Sequence, residues 1–159
     1  MKGRILIAED HESIAETYKL ILEAQDYEVT VTSNGQECIE TFDQHMSSKE
    51  NSDSGCYSLV ILDYHLPLRD AIDVSKHIFS KCPDQRILIA SSYPAEVIRK
   101  SAENLVNEVE LLIKPFDLEY LVDVVAGRKS VETIGRGHGE NRQEGKNDGR
   151  QVVKLQANR

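Results

Sequence analysis

The chain of 159 residues contains no tryptophan, three cysteines and four prolines. No apolar run approaches the ~20 residues that a membrane-spanning helix needs. The longest, such as Ile5–Ala8 and Leu59–Leu62, are far shorter, so no membrane span is expected. After Met1 and Lys2 the sequence passes straight into a strand-like run, without the apolar stretch and small-residue cleavage site of a secretory signal. A cytoplasmic protein is the expectation. Cys38, Cys56 and Cys82 lie 18 and 26 residues apart, an odd count with neither a C-x-x-C pair nor metal-ligand spacing. They are expected to be reduced thiols, with Cys38 packing as a small hydrophobe on a helical face.

What is present is enough for one folded unit. Forty per cent of residues are hydrophobic and 29% charged, which excludes wholesale disorder, and the length suits one domain with an appendage. Charge divides the chain. Residues 127–159 hold eight Lys/Arg against four Asp/Glu, a net +4, leaving 11 against 23, or −12, for residues 1–126. Six of the nine glycines also lie beyond residue 126, and 136–151 contain no aliphatic residue. Such a segment buries too little surface to offset its ordering entropy, so 127–159 are expected to be a polar, disordered tail on a domain spanning 1–126. The acidic domain would repel phosphate backbones, and direct DNA binding by it is not expected.

Within residues 1–126, short Ile/Leu/Val runs alternate with segments of helical period. Arg4–Ala8, Glu28–Thr32, Leu59–Leu62, Arg86–Ala90 and Leu111–Ile113 read as strands. Arg86–Ala90 repeats Arg4–Ala8 letter for letter, as expected of two central strands meeting the same demand. Between them lie helical stripes: Ile14, Tyr18, Ile21 and Leu22; Cys38, Ile39, Phe42 and Met46; Ala71, Val74, Ser75 and Ile78. Val97, Ile98, Ala102 and Leu105 follow Pro94, which suits a first helical turn, and Asp117 can cap a helix bearing Leu118, Leu121, Val122 and Val125. Five strand–helix units predict a doubly wound α/β fold, a five-stranded parallel sheet with helices on both faces.

In such sheets the loops at the carboxyl ends of the strands gather in one crevice. The residues there would be Glu9 and Asp10 after the first strand, Asp63 after the third, Ser91 after the fourth and Lys114 after the fifth. Three carboxylates packed together repel one another and require a cation. Their oxygen-only chemistry suits Mg²⁺, which takes one or two carboxylates plus waters and phosphate oxygens. With a lysine as point charge and a serine as donor, the set is what in-line phosphoryl transfer onto a carboxylate requires.

The runs Ile7-Ala8-Glu9-Asp10, Leu59 to Pro67, Ala90-Ser91-Ser92 and Ile113-Lys114-Pro115-Phe116 resemble the receiver domain of two-component response regulators, over about residues 3–126. The resemblance implies the flavodoxin-like strand order 2-1-3-4-5 and a stand-alone signalling protein rather than an enzyme, beyond self-catalysed phosphorylation and dephosphorylation. It implies that Asp63 is the phosphoacceptor, that Ser91 and Lys114 contact the bound phosphoryl group, and that Glu9, Asp10, Asp63 and the backbone carbonyl of His65 hold Mg²⁺. It further implies a cis Lys114-Pro115 peptide. The partners implied are a sensor histidine kinase or phosphotransfer protein upstream and a protein target downstream, with output through protein contact. Four positions depart from the family pattern. Leu111 stands where an aromatic is usual, Asn107-Glu108 replace Gly-Ala, and Ala71 replaces a glycine. Two other readings stay open: an unphosphorylated pseudo-receiver acting as an interaction module, and a Mg²⁺ phosphatase using Asp63 as nucleophile. The latter lacks the usual second acid two residues on, where His65 stands.

Overall fold

Each continuous apolar run becomes a strand covered on both faces. The computed structural model describes residues 1–48 and 55–136. Along the chain run β1 (Gly3–Ala8), α1 (Glu12–Glu23), β2 (Tyr27–Thr32), α2 (Gly35–Ser47), β3 (Leu59–Asp63) and α3 (Ala71–Lys81). They are followed by β4 (Ile87–Ser91), α4 (Ala95–Ser101), β5 (Val109–Ile113), α5 (Leu118–Val125) and β6 (Glu132–Ile134). The sheet order is β2-β1-β3-β4-β5-β6, with the first five strands parallel and β6 antiparallel to β5. The doubly wound fold and the 2-1-3-4-5 order are therefore those expected.

Alternation along each strand feeds two cores. Leu6, Ala8, Val60, Leu62, Ile87 and Ile89 pack under α2, α3 and α4, where Phe42, Ile78 and Ile98 are buried. Ile5, Ile7, Leu59, Ile61 and Leu88 face α1 and α5, against Tyr18, Leu22, Leu121 and Val124. Helix starts follow side-chain chemistry: Asn34, Asp70 and Asp117 each accept a hydrogen bond from the backbone N–H three residues on. The ends of two helices differ from the expectation. Pro94 caps α4 rather than opening it, α4 stops at Ser101 so that Leu105 packs from the turn beyond, and α5 buries Val124 rather than Val122.

Two expectations are corrected. Residues 127–136 are not a loose tail: after Gly127 the chain returns along the sheet edge, and β6 buries Ile134 beside Val109. Two apolar residues in a polar, glycine-rich stretch gave no strand periodicity. The rest of that segment, 137–159, lies outside the described residues. The cysteines are not all reduced: Cys56 and Cys82 form a disulfide, with Cα atoms 6.3 Å apart. Both precede neighbouring strands, β3 and β4, and so meet at one edge of the sheet, which linear spacing does not reveal. Buried Gln85 reinforces the junction, accepting from Tyr57 N and donating to Tyr57 O, both at 2.9 Å. Cys38 is wholly buried, and burial pushes its thiol up to about 12.

His45, in the last turn of α2, stacks on Tyr57 with ring centroids 4.0 Å apart. Burial, aided by the charge of Arg4, lowers its pKa from 6.5. The folded protein therefore favours neutral His45, a contribution fully present above the unfolded value and lost as pH falls through and below 6.5. Urea midpoints should accordingly drop between pH 7 and pH 5 by more in the wild type than in His45→Gln. Equal drops would remove His45 from the acid response.

Candidate functional site

The carboxyl ends of β1, β3, β4 and β5 place Glu9, Asp63, Ser91 and Lys114 at one edge of the sheet. Register fixes the neighbours: Asp63 pairs with Ala90 and Ser91 with Ile113, which puts Lys114 beside the end of β4. Lys114 N donates to the Ser91 carbonyl at 2.7 Å, extending the ladder by one residue before the cis Lys114-Pro115 peptide turns the chain.

Lys114 Nζ lies 2.9 Å from Asp63 Oδ1 and 3.7 Å from Glu9 Oε2. Glu9 is 2% exposed and Asp63 11%, so these carboxylates are shielded from bulk water, while Asp10 is about one-third exposed. The second oxygen of Glu9 accepts from His11 N at 3.1 Å and lies 3.1 Å from His11 Nδ1, which is also 3.3 Å from Asp10 Oδ1. The hydrogen bond to Glu9, then the charge of Asp10, raises the His11 pKa above 6.5. On the α1 side, burial and the nearby charges of Glu9 and Asp63 push Tyr18 up to about 12. The set gathers anionic charge that its one close lysine does not balance.

Buried Ser91 accepts a hydrogen bond from Tyr93 N at 2.9 Å, which pins the start of the β4–α4 loop. Tyr64 follows Asp63 and meets Tyr93 edge to face at 5.5 Å, with its hydroxyl 2.7 Å from Ser101 Oγ at the end of α4. His65 is exposed in the β3–α3 loop, its ring 6.5 Å from that of Tyr93. Leu111, which stands where the family usually has an aromatic residue, is buried in the core at 3% exposure. His11 belongs to no motif in the linear sequence. A nitrogen directly after two acids at a strand end was the available signal. Glu9, Asp10 and His11 are the described residues whose donor atoms cluster tightly enough to share a metal ion.

The β3–α3 loop is held from α2. Gly35 N donates to the Pro67 carbonyl at 3.1 Å, and a Cβ on Gly35 would run into the Arg69 carbonyl. Leu68, between them, sits at φ +68, a left-handed conformation that costs a side-chain-bearing residue roughly 1–2 kcal/mol. The contact between Gly35 and Arg69 thus imposes the loop shape on which His65 rides. Gly35→Ala should destabilise the protein by about 2 kcal/mol through overpacking, read by urea unfolding. An unchanged midpoint would show that the loop is free to give way.

Comparison with known proteins settles the family. Residues 5–126 match the response regulator receiver domain. This chain belongs to that family. The receiver is 31% identical over 121 residues to YkoG of Bacillus subtilis, an uncharacterized transcriptional regulatory protein, covering 76% of this chain and 48% of that one. It is 25% identical over 122 residues to the response regulator receiver protein CpdR of Brucella abortus, covering 77% of this chain and 92% of CpdR. The chain thus spans about half the length of YkoG and nearly all of CpdR. Among solved structures, the chemotaxis response regulator CheY4 of Vibrio cholerae superposes with a TM-score of 0.64 at 17% identity, covering 80% of this chain and 98% of CheY4. The response regulator TrrA of Thermotoga maritima, solved with Mg²⁺ and BeF, matches with a TM-score of 0.60 at 26% identity, over 78% of this chain and 96% of TrrA. Receiver domains are signalling domains that interact with histidine kinases or phosphotransfer proteins and bind Mg²⁺ at an acidic site. No helix among the described residues is long and apolar enough to cross a membrane.

Proposed function

We propose that this receiver accepts a phosphoryl group on Asp63 from a phosphohistidine of its partner. The observation that carries this reading is the placement of Lys114 Nζ 2.9 Å from the Asp63 carboxylate, with Glu9 facing the same ammonium. An Asp63 oxygen attacks phosphorus, the P–N bond breaks with its electron pair leaving on the imidazole, and an acyl phosphate forms. Lys114 ion-pairs with the transferred group, and the Ser91 hydroxyl donates to one of its oxygens.

Glu9, Asp10, Asp63 and the His65 carbonyl would hold Mg²⁺. The four proposed donors are all oxygens, which suits a hard cation, the acids carry more charge than Lys114 cancels, and Glu9 and Asp10 already lie within reach of one ion, with His11 beside them. When bound, the ion neutralises charge on the phosphoryl oxygens.

Residues 1–126 would signal through protein contact, since their net charge of −12 opposes a nucleic-acid backbone. The chain matches the response regulator receiver protein CpdR over 92% of its length and the transcriptional regulatory protein YkoG over 48%. Buried Leu111 favours one alternative, an interaction module that does not switch by phosphorylation.

Incubation with Mg²⁺ and acetyl phosphate decides between them. The intact protein should gain the mass of one phosphate, and an unchanged mass would favour the non-phosphorylated module.

A further inference from the structure

One covalent bond crosses the middle of the sheet at the end opposite Asp63. Cys56 stands before β3, and Cys82 ends α3 ahead of β4. These two strands pair in parallel, with Val60 opposite Ile87 and Asp63 opposite Ala90. The bond therefore clamps the base of the strand pair whose other ends carry Asp63 and Ser91. The ring that it closes contains β3, the β3–α3 loop and all of α3.

The two sulfurs differ in access. Cys56 is partly buried, whereas Cys82 is 5% exposed. A thiolate from solution therefore meets Cys56 first and leaves Cys82 as the departing group. Cys38 is wholly buried and its thiol is held protonated, so it offers no competing nucleophile. Nor does the fold need the bond to bring the pair together. Buried Gln85 bonds both the N–H and the carbonyl of Tyr57, and its Nε2 also donates to the Arg86 carbonyl at 2.8 Å. Cys82 N donates to the Ile78 carbonyl and Ser58 N to the Arg4 carbonyl, each at 2.8 Å, and His45 is hydrogen-bonded to the Cys56 backbone. Two cores on the faces of the sheet supply the burial that small disulfide-dependent domains lack. An opened pair thus stays in place, ready to close again.

We propose that Cys56 and Cys82 are a reversible redox modification site, opened by a dithiol and re-formed by a disulfide oxidant, whose state sets how firmly the bases of β3 and β4 are held together. A thiolate of the dithiol attacks Cys56 Sγ, and the Cys56–Cys82 bond breaks with its electron pair leaving on Cys82 Sγ, which takes a proton. The second thiol of the reagent attacks the reagent's own sulfur in the mixed disulfide and releases Cys56 as a thiol. The protein gains two electrons and two protons while the dithiol is oxidised to a disulfide. This inference stands apart from the reading of Asp63 as acceptor.

The folded full-length protein, first oxidised with glutathione disulfide, provides the test. Dithiothreitol at neutral pH, without denaturant, should raise its intact mass by two hydrogens, and iodoacetamide should then label Cys56 while leaving Cys38 untouched. Once dithiothreitol is removed, glutathione disulfide should restore the oxidised mass. Reduction should lower the urea midpoint by roughly 1–2 M. It should also make peptides covering 55–60 and 82–88 exchange their amide hydrogens about tenfold faster. Cys56→Ser should show the midpoint of the reduced protein whether or not dithiothreitol is present. A bond that never forms, or that dithiothreitol opens only in unfolding urea, would overturn the redox site. Equal midpoints and equal exchange in the oxidised and reduced wild type would overturn the clamp.

Discussion

Asp63→Asn should abolish phosphate uptake from acetyl phosphate, lowering the rate by at least about a thousandfold, because it removes the attacking oxygen and leaves the rest of the site in place. The same change should not unfold the protein. It replaces one of three clustered carboxylates with a neutral isostere, relieving repulsion while Glu9 still faces Lys114 at 3.7 Å. Intact-protein mass and urea unfolding on one sample thus separate loss of acceptor from loss of fold. Continued phosphate uptake by Asp63→Asn would move the acceptor elsewhere and sink the proposed role of Asp63.

The largest expected loss of stability belongs to Arg86, far from this site. Its guanidinium grips both oxygens of Glu110 on β5, at 2.6 and 3.0 Å, and donates to the Val124 and Val125 carbonyls at 2.8 Å each. Those carbonyls end α5, where the helix dipole is negative, and Val124 also accepts from Gly127 N at 3.1 Å. Arg86→Ala would leave the half-buried Glu110 carboxylate unpaired and remove a donor from each of the Val124 and Val125 carbonyls, at a cost of roughly 3 kcal/mol. Arg86→Lys should recover part of that, since an ammonium offers a point charge but not the planar fork. Urea denaturation reads both variants, and a loss below about 1 kcal/mol for Arg86→Ala would show that the network is an ornament of the surface.

Arg86 also shows what the sequence could and could not reveal. The repeated Arg-Ile-Leu-Ile-Ala pentapeptide announced two central strands, and β1 and β4 are central. It also hid a parallel: Arg4 faces Glu28 on β2 as Arg86 faces Glu110 on β5. Pairings across a sheet depend on register, which the apolar pattern alone leaves undetermined at strand ends. The convergence of Glu9, Asp63, Ser91 and Lys114 was legible because parallel strands of known order deliver their carboxyl ends to one edge. β6 was illegible for the opposite reason. Its stability comes from a pre-existing edge and from Arg99, neither of which leaves a periodic trace in Val131–Ile134. The pairing of Cys56 with Cys82 depends likewise on two loops meeting below β3 and β4, through Gln85, rather than on the 26 residues between them.

The pairing of Tyr64 with Tyr93 has a practical corollary. The chain has no tryptophan and six tyrosines, so its intrinsic emission is tyrosine emission. Two of those six rings stand edge to face at 5.5 Å on either side of the Asp63 and Ser91 strand ends. The molecule thus carries a native chromophore pair at its acidic crevice, and optical signals from the crevice need no attached dye.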